Sequence, residues 1–191
     1  MKRYTTKRCN LFNFIKSILD IIYLPKITNS IELVIYKFIL KKENFKYIGK
    51  YSKINLNQNK LLGSNITLGD FSLISSSRGG EIEIGNNVKL ARNVLISSDF
   101  GGEIFIGKDT IIGPNTVIRS ANHLPSEGDY SSDNYISKDI YIGSSCWIGA
   151  NCVILAGTKL PDKCVVGGLS VTNNDYKNAS LVCCSIATIK K

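Results

Sequence analysis

The chain has 191 residues, 24 Lys and Arg against 15 Asp and Glu, a formal net charge of +9 and one histidine. Residues 1–60 hold 13 of the basic and 3 of the acidic residues, so the excess lies there; residues 61–191 hold 11 and 12 and are close to neutral. Charge of this kind with no accompanying recognition motif argues against a nucleic-acid partner. The six cysteines do not form a disulfide framework, and with no CxxC and one His there is no zinc site, so no metal is expected. Cysteines used in this way fit a reduced, cytoplasmic protein.

Residues 1–45 read as a basic helical leader. Leu11, Phe14, Ile15, Ile18, Leu19 and Ile22 fall on one helical stripe, and Ile31, Leu33, Val34 and Phe38 suggest a second after Pro25. Neither run reaches the roughly 18–20 apolar residues that span a bilayer, and Lys16 and Asp20 interrupt the first. No small-residue cleavage site follows. Two readings stay open: helices that pack on or cap the domain behind them, or a basic amphipathic anchor giving peripheral contact with the inner face of the membrane.

Residues 46–65 are rich in Asn and Lys and are expected to make a first irregular coil, with regular coils from Ile66. From Ile142 to Val171 five hexapeptides run without a break: IGSSCW, IGANCV, ILAGTK, LPDKCV and VGGLSV. Each leads with an aliphatic residue and has a small one four places later: Cys146, Cys152, Thr158, Cys164 and Ser170. The same beat runs from Ile84 and from Ile106. A six-residue period is neither a helix face nor a free strand. It describes one short strand and one tight corner, three to a coil of about 18 residues, stacked as a parallel β-helix. The leading aliphatic points inward, where burial is worth roughly 1.5–3 kcal/mol. Gly and Asn at the corners turn the backbone, partly through φ > 0.

Ile84 and Ile106 are 22 residues apart, which puts four extra residues in or near Ser97–Glu103. After His123 the pattern lapses, and the polar stretch 123–138 reads as an excursion loop from the prism. Beyond Val171 the tail, 172–191, is expected to fold back along it.

With these repeats the chain resembles the hexapeptide-repeat, left-handed β-helix acyltransferases. It is most similar to the galactoside, maltose, serine and xenobiotic acetyltransferases and to the sugar O-acetyltransferases of surface-polysaccharide pathways. The resemblance runs from about Ile66 to the C-terminus. It implies an all-β, left-handed parallel β-helix domain over 46–191, a homotrimer with sites between protomers, acetyl-CoA as co-substrate and a carbohydrate acceptor.

His123, in SANHLPSEGD, matches the family's catalytic histidine by its loop and by its distance from the following IGxxxWIG. A sugar hydroxyl is a poor nucleophile until a base takes its proton, and a largely neutral imidazole suits that task. No nucleophile paired with a second base is present, so direct transfer is expected, with a backbone N–H meeting the oxyanion. The resemblance also assigns Trp147, Gly149 and Ala150, the small pair Gly167 and Gly168, and Lys191 to the donor. Asn93 falls at the cleft between donor and acceptor, and Asp99 against the acceptor sugar. The family's closing Gly-Asn-Pro-Ala loop is here Cys184-Ser185-Ile186-Ala187, and its Val-Thr-Lys-Asp turn is Thr172-Asn173-Asn174-Asp175, which lacks the cation. Competing readings are N-acetylation of an amino sugar or xenobiotic and a non-catalytic trimeric scaffold. A metal-dependent hydratase on this fold would need three histidines.

Overall fold

In the computed structural model the described residues are 44–56, 61–123 and 134–183. The expected leader helices, the tip of the excursion loop and the last eight residues lie outside them. Within them the chain winds as a three-sided parallel β-helix. The first coil is β1 (Phe45–Ile48), β2 (Lys53–Asn55) and β3 (Leu61–Leu62), and the second β4 (Ile66–Leu68), β5 (Leu73–Ser76) and β6 (Glu81–Ile84). The third is β7 (Lys89–Leu90), β8 (Leu95–Ser98) and β9 (Glu103–Ile106). The fourth is β10 (Ile111–Ile112), β11 (Val117–Arg119), a hairpin of β12 (Ala121–His123) and β13 (Tyr135–Ser137), then β14 (Ile140–Ile142). The fifth is β15 (Trp147–Ile148), β16 (Val153–Leu155) and β17 (Lys159–Leu160), followed by β18 (Val165–Val166), β19 (Val171–Thr172) and β20 (Leu181–Val182).

The strands stack into three sheets. Sheet A runs β1-β4-β7-β10-β15-β18-β20, sheet B β2-β5-β8-β11-β16-β19, and sheet C β3-β6-β9-β14-β17. Pairing between coils is parallel throughout, and only β12 and β13 pair antiparallel. The leading aliphatics fill the prism in columns. Leu68, Ile112 and Ile148 line sheet A, Ile74, Ile96 and Ile118 sheet B, and Ile106, Ile142 and Leu160 sheet C, all at 0% exposure. The small positions are sealed equally well: Thr110, Cys152, Thr158 and Cys164 are fully buried. The period therefore exists because each sixth residue must enter a channel too narrow for a polar or bulky alternative.

Two expectations are corrected. The described strands of the first coil stack like those that follow: β1 begins at Phe45, and β1, β2 and β3 pair in parallel with β4, β5 and β6, with one register shift between Phe45 and Tyr47; residues 57–60 lie outside the described residues. The inward positions Phe45, Ile48 and Ile54 are buried, which is enough to hold the coil despite its Asn- and Lys-rich outer positions. Nor does the described part of the tail fold back. Lys159 bridges to Asp175 and β20 pairs with β18, so residues 173–182 add further sides to the same helix.

Register shows where the extra residues lie. Leu95 pairs with both Leu73 and Val117, and Glu103 with Glu81. The four-residue enlargement therefore recurs at the corner from sheet B to sheet C, in two successive coils, as SSSRGGE (75–81) and SSDFGGE (97–103). The hairpin β12–β13 springs from the same corner one coil on. Among the described residues no helix is long and apolar enough to cross a membrane.

Candidate active site

The widened B–C corner gathers the polar and aromatic chemistry of the chain. Asp99 leaves the end of β8. Its carboxylate accepts from the Ser77 hydroxyl of the coil before, and from Ser97 Oγ at 2.9 Å. Its own amide donates to Ser120 Oγ at 3.3 Å. Ser137 Oγ donates to the Phe100 carbonyl at 2.7 Å, tying β13 to the loop below. These bonds fix a corner that, with four additional residues, would otherwise be free to move.

His123 is exposed at the end of β12, opposite Tyr135 in the antiparallel register. The two rings lie 4.5 Å apart, tilted by 41°. Tyr135 in turn stacks on Phe100 at 3.7 Å, and the Arg78 guanidinium sits over Phe100 at 4.6 Å. The corner thus carries a column Arg78–Phe100–Tyr135–His123, one residue per coil up to the hairpin. The sequence reading missed Arg78, Phe100 and Tyr135. The repeat of SSSRGGE as SSDFGGE at a 22-residue offset was the signal that aligns Arg78 with Phe100.

The residues assigned to the donor lie elsewhere. Trp147 stands on the outer face of sheet A, 58% exposed, between Ile111 and Val165. Gly149, Ala150, Gly167 and Gly168 form the A–B corner of the fifth and sixth coils. At Gly149 an added Cβ would lie 2.5 Å from the Gly168 amide nitrogen, and at Gly167 2.9 Å from Cys183 Cβ. Gly49, Gly69 and Gly113 occupy the same column and meet equally close backbone. Coil stacking therefore favours a very small residue at 149 whatever else it does, with Ala91 as the largest in the column, while at 167 the close neighbour is the Cys183 side chain. The next position is different. Lys50, Asp70, Arg92 and Pro114 occupy it in the earlier coils, and it shrinks to Ala150 and Gly168 beside Trp147. Lys191 lies outside the described residues.

Asn93 is also at the A–B corner. It holds φ of 55°, and its Nδ2 donates to Asn115 Oδ1 at 3.0 Å; Asn115 Nδ2 donates on to Asn151 Oδ1 at 3.1 Å. Its local role is one rung of an asparagine ladder. Asn93 and Asp99 stand six residues apart at the two ends of β8, up to roughly 20 Å of extended chain. One protomer therefore brings Asp99 and His123 to one corner, and Asn93, Ala150 and Gly168 to another, with sheet B between.

Burial pushes the thiols of Cys146 and Cys164 up, away from the thiolate that a nucleophile needs. Among the described residues no group of three His, Cys, Asp or Glu side chains could hold a metal ion.

Residues 140–173 match the family model "Hexapeptide repeat of succinyl-transferase". No curated protein matches the chain. Among solved structures, a hexapeptide-repeat-containing acetyltransferase of Vibrio cholerae O1 biovar eltor, complexed with acetyl coenzyme A, is 26% identical, with a TM-score of 0.51 over 78% of this chain and 71% of that one. A mutant of AntD, an N-acyltransferase from Bacillus cereus, in complex with dTDP and coenzyme A, is 20% identical, with a TM-score of 0.58 over 77% of this chain and 83% of that one. Another AntD mutant, bound to dTDP-4-amino-4,6-dideoxyglucose and coenzyme A, is 18% identical at a TM-score of 0.53, covering 78% and 84% of the two chains. At these identities the AntD structures speak to the fold.

Proposed function

We propose that this hexapeptide-repeat chain is an acetyl-CoA-dependent O-acetyltransferase. It transfers an acetyl group directly to a sugar hydroxyl of a surface glycan or its precursor, with His123 as general base. The observation that carries the reading is the position of the sole histidine. It is exposed at the one corner where the coil is enlarged, in the company of Asp99, on a chain whose Vibrio cholerae relative is an acetyltransferase solved with acetyl coenzyme A.

The donor fits the A–B corner of the fifth and sixth coils. There the corner side chains shrink to Ala150 and Gly168, leaving backbone open beside the exposed indole of Trp147. Those residues, with the backbone of Gly149 and Gly167, would hold the pantetheine arm. Acetyl-CoA supplies an activated thioester carbonyl. His123 accepts the acceptor hydroxyl's proton as the oxygen attacks, and returns it to the departing sulfur. Asp99, held by Ser77 and Ser97, keeps free lone pairs for a neighbouring sugar hydroxyl. Among the described residues the thiols of Cys146, Cys152 and Cys164 are buried in the prism, and the exposed Cys183 has no paired base.

The active unit is a homotrimer. Donor residues and His123 stand at different corners of one prism, so a complete site needs the A–B corner of one copy against the B–C corner of another. The outward residues Leu73, Leu95, Val117 and Val153 of sheet B, each half-buried in the single chain, form an apolar stripe between the two corners and suit such packing. This reading places the enzyme in the cytoplasm, where the positive charge of residues 1–60 suits peripheral contact with an anionic membrane face.

The deciding experiment is a calorimetric titration with acetyl-CoA and with CoA, followed by turnover with an acceptor panel. Binding is expected in the micromolar to millimolar range. His123→Ala keeps binding and loses roughly 10²–10⁴ in turnover. No binding of either thiol ester or thiol sinks the acyltransferase reading, and unchanged turnover in His123→Ala sinks the general base.

A further inference from the structure

A general base must be held at a fixed angle to the proton it takes, and misplacement by about 1 Å can cost on the order of 100-fold. Among the described residues His123 has no hydrogen bond or ion pair from its side chain. Its ring contact is with Tyr135 at 4.5 Å. Tyr135 cannot yield, because its other partner is Phe100 at 3.7 Å, nearly parallel at 20°. Nor can Phe100: Arg78 lies over it at 4.6 Å, and coil order places Arg78 and Tyr135 on opposite faces of its ring. The loop backbone under the column is pinned as well, since Ser137 Oγ binds the Phe100 carbonyl and Lys138 N donates to the Ser120 carbonyl at 3.0 Å.

We infer that Tyr135 is the positioning residue of the site: it orients the His123 imidazole, and Phe100 and Arg78 back it as a buttress running down the B–C corner. The inference rests on His123 being the base. A ring held by stacking differs from a ring held by a carboxylate. Stacking fixes the plane of the imidazole without itself occupying either ring nitrogen. Aromatic pairs of this kind contribute direction beyond simple burial, because the ring quadrupoles favour offset or tilted contacts. The buttress also explains why bulky residues stand at 78 and 100, where φ of 47° and 55° would suit glycine better.

The test uses a spectroscopic property that the composition provides. His123 is the only histidine, so the full chain labelled with carbon-13 histidine gives one imidazole Cε1–H signal. In the wild-type protein that signal is displaced by the Tyr135 ring current from the position of free histidine. In Tyr135→Leu it moves towards that position. Turnover, read as thiol release from acetyl-CoA, falls roughly 10- to 100-fold, with KM for acetyl-CoA unchanged. Tyr135→Phe keeps both signal and turnover. Phe100→Leu shows a smaller displacement loss and a smaller drop, and Arg78→Gln the smallest. A wild-type signal at the free-histidine position overturns the inference, and that result needs no variant to fold. So does a Tyr135→Leu protein that folds with signal and turnover unchanged. If His123→Ala keeps full turnover while the wild-type signal is displaced, the general base fails and the stacking stands.

Discussion

The prism turns through the same kind of angle at its C–A corner and at its B–C corner, yet the two are built from opposite material. At the C–A corner Gly63, Gly85, Gly107 and Gly143 form a column in which each added Cβ would lie about 2.5 Å from the backbone of the next coil. Asn65, Asn87 and Asp109 follow in the left-handed region and pass one hydrogen bond from coil to coil, at 2.7 and 2.9 Å. Every atom there serves the neighbour above or below. At the B–C corner Gly80 and Gly102 still lie tight against the next coil, but four more residues lift the tip of the loop away from the prism, and Gly101 there has nothing within 4 Å of where a Cβ would stand. Side chains there need not repeat, so they differ from coil to coil: Arg78, then Phe100, then the hairpin that ends on His123. Strict periodicity marks where the backbone is crowded, and its failure marks where chemistry can be carried.

The sharpest way to break this comparison is a single methyl group. Gly85→Ala places a Cβ 2.5 Å from the Lys108 amide nitrogen and 3.0 Å from the Gly107 carbonyl carbon, both backbone of the next coil. We expect a loss of about 3 kcal/mol or more in urea denaturation, because two coils must move apart to admit it. The prism would lose one turn of its stacking while the B–C corner kept its sequence. A loss under about 1 kcal/mol would mean that coil spacing is softer than the glycine column implies.

This crowding also explains what could be read from the amino-acid sequence. The channel admits one type of residue at every sixth place, so Ile142–Val171 announced the fold directly, and the leading aliphatics of the core could be named one by one. His123 and Asp99 were legible from the loop sequence and the insertion around them. Tyr135 and Phe100 were not, because their roles depend on which loop residues stack, and that is decided by register between coils 22 and 36 residues apart. The same gap hid the two reasons for glycine at 149 and 167. Resemblance pointed to the donor, and only the close approach of the next coil shows that stacking favours small residues there as well. The first coil was missed for the reverse reason. Its outer positions are Asn and Lys, and three buried apolar residues, Phe45, Ile48 and Ile54, carry it.

Smaller substitutions sharpen the contrast. Asn87→Ala keeps φ near 60° but loses both ladder hydrogen bonds and the tolerance of Asn for that region, and should cost about 1–2 kcal/mol. Gly101→Ala, at φ of 77° with open space around it, should cost only about 1 kcal/mol, all of it backbone. Measured side by side with Gly85→Ala by thermal melting, the three should rank Gly85, Asn87, Gly101. A Gly101→Ala variant as damaged as Gly85→Ala would show that the widened corner is packed as tightly as the other.

The finest effect concerns charge rather than shape. Cys146 occupies the small inward position after the C–A corner, in the column that holds Val88, Thr110 and Cys164, all buried. Burial raises its thiol above the ordinary value near 8.5, so the folded protein favours the neutral form more than the unfolded chain does. The resulting stability is complete below the unfolded thiol's pKa and is lost as pH climbs through the folded one. Denaturation midpoints should therefore fall from about pH 8 upward, and Cys146→Val should flatten that decline. Valine already fits the same column at position 88, so the packing cost is small. Parallel pH curves for the two proteins would mean that the thiol ionises inside the prism at little cost. That would require water or a counter-charge to reach the tight corner, against the crowding that keeps its glycines.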